Sequence, residues 1–331
     1  TRSVEAAYDF QKAIDNYLSL VDKYKESKFR GDALYNAAVA LEGDQQYKRA
    51  AAAFERYAKL FKDRPDAAEN FFHAAVVYAK SKDHPGSIAV FRRFIRTYQR
   101  DAAEKERLVQ AQMKIAEAQE AMGRGRDARK GYDAVLKLYK RYGLPGGGRA
   151  AEAAAKAAFL LADYRLMAYE KITFEVSPRK LKTVLNRKAV ELKKMEDLYK
   201  RVFAYKRVDW TLASYYRLGY LYENFANVLI NSPCPKGLNQ DECDLYKGKL
   251  EEFAEAPIKK AVSAYAETME KSKSYKVANA WTRKTRESLN RFEPIKYPLQ
   301  KQPEAALVVD RHGALPLLQA VVQTGVKPEG K

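Results

Sequence analysis

The chain has 331 residues, and 61 Lys+Arg against 42 Asp+Glu leave a net charge of +19. Apolar residues make up 47%, ample for a core, yet no run of about 18 apolar residues exists, which excludes a membrane-spanning helix. The cationic balance favours anionic partners, or a solvated surface with a basic bias, because acidic residues are interspersed almost everywhere.

In chain order, residues 8–24 (YDFQKAIDNYLSLVDKY) show apolar side chains at three- and four-residue steps, the mark of an amphipathic helix. A helix pair follows, expected over roughly 32–42 and 47–62, with Gly43-Asp44 as the turn and Asp63-Arg64-Pro65 closing the unit. The pattern recurs at 71–98, with Asp83-His84-Pro85-Gly86 as its turn, and at 112–139, around Gly123-Arg124-Gly125. The three units align at Ala37-Ala38, Leu41, Ala50 and Phe54; at Ala74-Ala75, Tyr78, Ser87 and Phe91; and at Ile115-Ala116, Gln119, Ala128 and Tyr132. A period of 37–41 residues signals an all-α solenoid in which each unit stacks on its neighbours. Residues 8–24 match a second helix alone, so the array is expected to enter this sequence mid-unit, as a piece cut from a larger protein.

Gly146-Gly147-Gly148 is the clearest interior break, and helices lengthen beyond it. Residues 274–292 read as a final helix. The expected organisation is a regular array over 1–143, long atypical hairpins with a cysteine-bearing insertion over 149–293, and an extended or partly disordered tail over 294–331, with room for a short helix at 315–323.

These units resemble the tetratricopeptide-repeat family, which places Leu-Gly then Tyr in its first helix and small-then-aromatic residues in its second. Tyr215, Leu218, Gly219 and Tyr222 carry the first pattern; Ala261, Tyr265 and Thr268 look like the second, displaced by an insertion of about 30 residues. Ala154, Ala157, Ala158 and Leu161, with Met195, Tyr199 and Val202, suggest a further stretched unit. The resemblance implies a right-handed solenoid and a protein-binding groove lined by first-helix side chains. Carried onto this sequence, those positions are Tyr35, Val39, Phe72, Val76, Met113 and Glu117: a groove for a peptide, unless neighbouring helices or the tail cover it. The N-terminal units are similar to those of bacterial envelope members, and the C-terminal stretch to large repeat proteins of gliding soil bacteria, some of which serve motility. That similarity implies a non-catalytic scaffold in a periplasmic or outer-envelope assembly.

Catalytic and metal constellations are not found: the three histidines, His73, His84 and His312, stand apart, and no phosphate-loop, dinucleotide or zinc-protease motif occurs. No enzyme activity, cofactor or metal is expected. Cys234 and Cys243 lie in the Pro/Gly-bearing insertion, where a disulfide is expected, two free thiols being the alternative. A bond would stabilise by roughly 2–3 kcal/mol and place the chain in an oxidising compartment. Residues 171–208 hold 12 Lys/Arg and 4 Asp/Glu. Arg179, Lys180, Lys182, Arg187, Lys188, Lys193 and Lys194 there form a candidate patch for an acidic protein, anionic lipid or glycan, against the plainer reading of a solvated helix face. Useful nucleic-acid affinity is not expected, although a basic RNA- or polyanion-binding adaptor of the cytoplasm is the alternative function.

Overall fold

A computed structural model describes residues 9–174 and 178–299, apart from the side chains of 178 and 179. The expected short helix at 315–323 and most of the tail lie outside the described residues. Backbone contacts divide the chain into residues 1–285 and 286–331. The described part of the second unit is the end of one helix and a turn, where Asn290 Nδ2 donates to the Tyr297 carbonyl at 3.0 Å.

The first unit is helical throughout its described secondary structure. Its helices are α1 (Phe10–Lys23), α2 (Arg30–Gly43), α3 (Tyr47–Leu60), α4 (Ala67–Lys80), α5 (His84–Tyr98), α6 (Lys105–Ala121) and α7 (Gly125–Arg141). Then come α8 (Arg149–Glu170), α9 (Pro178–Val202), α10 (Val208–Ile230), α11 (Gln240–Tyr275) and α12 (Ala280–Phe292), whose last turns enter the second unit. Each of helices α1 to α11 packs mainly on its neighbours in sequence, with further contacts of α8 on α6 and on α10. This is the solenoid of helical hairpins that the period implied.

Small residues make the close approaches. Ala37, Ala38, Ala50, Ala74 and Ala75 are fully buried in one core with Phe54 and Phe91, and Tyr132, Tyr199 and Tyr265 are buried in the later units. The three turns from first to second helix share one conformation: Gln45, Lys82 and Gly123 occupy equivalent places with φ of 59°, 59° and 73°. In the first and third units the next N–H then reaches back to close the helix, Gln46 to the Leu41 carbonyl and Arg124 to that of Gln119, both at 2.9 Å. The turn is therefore set by backbone satisfaction, and glycine is used in only one of the three.

Several boundaries move from their expected places. His84, Pro85 and Gly86 begin α5 rather than forming a turn, because Asp83 caps the helix by accepting from Gly86 N at 2.9 Å and proline fits the first turn. The expected final helix is broken in two: α11 ends at Lys276, which has φ of 54°, and Asn279 caps α12 through the N–H groups of Trp281 and Thr282. Most of the presumed insertion is helix too. Asn239 and Glu242 form a reciprocal capping box that starts α11, leaving 231–239 as the connection. Consequently Cys243 sits on the first turn of a helix, not in a loop.

Acidic residues that looked randomly scattered have a register. Glu42 reaches Lys80, Glu55 reaches Arg93, and Glu69 reaches Arg107, each 38 residues on; Glu117 reaches Lys156, 39 residues on. These are staves between equivalent helices of successive units. Exposed pairs of this kind contribute about 0–1 kcal/mol each, so they tune register more than stability.

Candidate functional site

On the first-helix face of units one and two, α2 presents Tyr35 and Val39, which are 42% and 45% exposed. Four-residue spacing puts them on one stripe of α2, and Phe72 and Val76 stand at the corresponding places on α4, half-buried against the core. Tyr35 rests edge-on against Phe54 (6.0 Å between ring centroids), and Phe72 against Phe91 and Phe94 (5.5 and 5.6 Å). The rings are thus held from beneath while part of each stays open. Glu42 closes one end of the stripe, accepting from His73 Nε2 at 2.9 Å and from Lys80 Nζ at 2.5 Å. Burial alone would raise its carboxyl; the hydrogen bonds from Lys80 and His73 outweigh that and hold it below the usual carboxylate range.

The third step of the expected ladder is absent. Met113 is 3% exposed, packed with Val109, Ala116, Tyr132, Ala150 and Ala153. The cause is α8: its alanine-rich first turns let it lie directly on both α6 and α7, covering the place where an open third step would be. Glu117 is half-buried and held between Lys114 and Lys156. Burial pushes its carboxyl up, but those two ammonium hydrogen bonds keep it ionised, below the ordinary range. The open apolar stripe therefore comprises Tyr35, Val39, Phe72 and Val76.

The basic patch also changes. Lys180, Lys182, Arg187, Lys193 and Lys194 are exposed on α9, and Lys194 shares Glu191 with Arg165. The Arg179 side chain lies outside the described residues. Lys188 does not belong to the patch: it is fully buried. Its Nζ donates to the carbonyls of Ile172 (2.9 Å) and Tyr169 (3.3 Å) and to Asn224 Oδ1 (3.0 Å), and sits 4.2 Å from the centre of the Tyr169 ring. Burial lowers its ammonium to about 8, against an opposing pull from Glu170. The helical period of α9 turns position 188 inward with Leu192, Met195 and Tyr199, and only a long side chain reaches the carbonyls at the end of α8.

Sequence reasoning missed a recurring tyrosine–carboxylate pairing. The second-helix aromatic donates its hydroxyl to an acid on the first helix in three units: Tyr132 to Glu120, Tyr199 to Asp163 at 2.5 Å, and Tyr265 to Glu223 at 2.5 Å. In the first two units the aromatic is phenylalanine, and the acid position holds Glu42, turned to His73 and Lys80, or Ala79. The signal was legible as a coupled change, Phe with a redirected acid or alanine, Tyr with an acid.

Cys234 and Cys243 are joined by a disulfide, with Cα atoms 5.7 Å apart. It closes the α10–α11 connection beside the capping box. Replacing both by serine is expected to cost roughly 2–3 kcal/mol through the freed loop. Hydrogen exchange should quicken over 231–243 while the helical circular-dichroism signal persists. Loss of that signal at ambient temperature would contradict a purely local ring.

A profile of the tetratricopeptide repeat matches residues 32–63 and 110–141, which are α2–α3 and α6–α7. These two hairpins are tetratricopeptide repeats. Among solved structures the chain is similar to a tetratricopeptide-repeat protein from Bacteroides fragilis, at 15% identity over 79% of this chain and 98% of that one, with a TM-score of 0.41. No curated protein matches it. Tetratricopeptide repeats bind protein partners, and no described helix is long and apolar enough to cross a membrane. Among the described residues no cluster of three His, Cys, Asp or Glu side chains could hold a metal ion.

Proposed function

We infer that this repeat protein is a non-catalytic scaffold of a bacterial envelope assembly, which grips an apolar segment of a partner along Tyr35, Val39, Phe72 and Val76. The observation that carries the reading is the exposure of Tyr35 and Val39 on a stripe whose rings are already braced from below. A braced aromatic loses little side-chain freedom on binding, which suits an interface anchor. The Cys234–Cys243 bond supports an oxidising compartment, and hence the periplasm or outer envelope, over a cytoplasmic polyanion adaptor. The exposed cations of α9 suit an acidic protein, anionic lipid or glycan as a second contact.

Val39 is the cleaner probe, because Phe72 also supports the core. Val39→Lys is expected to leave stability within about 0.5 kcal/mol, as for surface changes, and to weaken the partner about tenfold or more. The partner would first be captured in the native host through a photo-crosslinker at position 39. Equal capture from position 39 and from the opposite-layer position 59, or unchanged affinity of the Val39→Lys variant, would remove the stripe as the site.

A further inference from the structure

Between α5, α6 and α7 lies a cleft of about 420 Å³ with Gln119 at its floor and Arg92, Arg96 and Lys130 around it. Gln119 is 8% exposed, and its Oε1 has no hydrogen-bond partner among the described residues. A buried oxygen without a donor is costly, so it calls for an occupant or a reason. The three cations are exposed and form no ion pair among the described residues; Asp127, which also lines the cleft, is engaged by Arg124 at 2.7 Å.

The array contains its own control. The equivalent cleft of unit one, between α1, α2 and α3, is about 230 Å³ and has Leu34, Leu41 and Ala53 where the third unit has Gln112, Gln119 and Gly131. The floor of the same place in the repeat is thus apolar in one unit and polar in another, although Arg49 and Arg56 line the smaller cleft as well. Gly131 keeps the floor open: a Cβ there would stand 2.7 Å from Ala116 Cβ and 3.2 Å from Gln119 Oε1, over the orphaned oxygen. Fold formation alone does not demand a glutamine at this position, since leucine fills it in unit one.

We propose that this cleft binds a small oxyanion that also carries an O–H donor, the chemistry shared by hydroxycarboxylates and phosphate monoesters. The anionic oxygens meet Arg92, Arg96 and Lys130, and the hydroxyl donates to Gln119 Oε1. Three cations with no ion-pair partner among the described residues supply the charge term, and the unsatisfied acceptor supplies the selection for a donor. This site stands apart from the Tyr35 stripe and does not depend on it.

Isothermal titration of the full chain at low ionic strength tests the proposal with two matched pairs: malate against succinate, and inorganic phosphate at pH 6.5 against sulfate. Malate is expected to bind about fivefold or more tightly than succinate, and phosphate to exceed sulfate likewise, because only the first of each pair donates a hydrogen bond. Whichever pair shows the larger ratio identifies the class. Gln119→Leu installs the residue of unit one; it is expected to fold with a raised melting temperature and to abolish both preferences. Arg96→Gln should weaken all four anions while keeping the ratios. No saturable binding by the wild-type chain up to about 10 mM, or ratios retained in Gln119→Leu, would overturn the proposal.

Discussion

Lys188→Met is expected to lower stability by about 2–4 kcal/mol at pH 7, although it removes a buried charge and keeps the apolar stem. Three oxygens, the Tyr169 and Ile172 carbonyls and Asn224 Oδ1, lose their shared donor in a site water cannot enter. The ammonium joins the end of α8, helix α9 and helix α10 at one point, beside the Tyr169–Leu221 and Tyr220–Glu170 hydrogen bonds. Its titration gives a second, independent readout. The folded state holds the lysine at about 8, whereas an unfolded lysine titrates near ~10.4. Below about pH 8 both states are protonated and the difference is constant. Between about 8 and 10 the unfolded chain keeps a proton that the folded chain has released, so stability rises with pH across that window. The gap between wild type and Lys188→Met should therefore widen from pH 7 to pH 9.5 in urea titrations. The tyrosines that burial raises are common to both chains and cancel. A gap that stays flat would mean that burial does not lower this lysine, and a variant as stable as wild type at pH 7 would mean that Lys188 does not hold this junction.

Gly219→Val is expected to unfold the α10–α11 hairpin, or to cost upwards of about 3 kcal/mol, even though most residues favour helix over glycine. A Cβ at 219 would stand 2.5 Å from two ring carbons of Tyr265. That ring cannot retreat: it is fully buried, and its hydroxyl is held by Glu223 at 2.5 Å. Gly219→Ala should already be destabilising by about 1–3 kcal/mol. Gly248, on the exposed part of α11 with nothing within 4 Å of its Cβ position, is the opposite case. Gly248→Ala should stabilise by about 0.5–1 kcal/mol. Thermal melts of the three variants check both signs, and a stabilising Gly219→Ala would show that the close approach of α10 to α11 is not rigid.

The Gly219 result bears on what could be read beforehand. Its pairing with Leu218 marked the family from the sequence, yet the reason for glycine, the flank of Tyr265, exists only once the two helices pack. Asp83 shows the same limit at shorter range. Pro85 and Gly86 read as a turn from composition, but a capping carboxylate three residues before Gly86 turns them into a helix start. Cap geometry depends on which N–H groups remain unsatisfied, and composition does not count those.

Within the candidate stripe, Tyr35, Val39, Phe72 and Val76 came from the family resemblance, and their exposure is decided by the two units that contain them. That of Met113 is not, since its burial depends on how closely α8 approaches α6, and that distance is set by Ala150 and Ala153 some forty residues on. Lys188 was legible as a charge but not as a buried one: a basic helix reads the same whether one of its cations faces solvent or a ring of carbonyls. Sequence by itself determined the helices, their period and the aromatic–alanine seams, which are local consequences of spacing and side-chain size. Only the tertiary structure decided which polar groups had been left inside, Gln119 and Lys188 above all, because a group's cost or use depends on the partners that other helices bring to it.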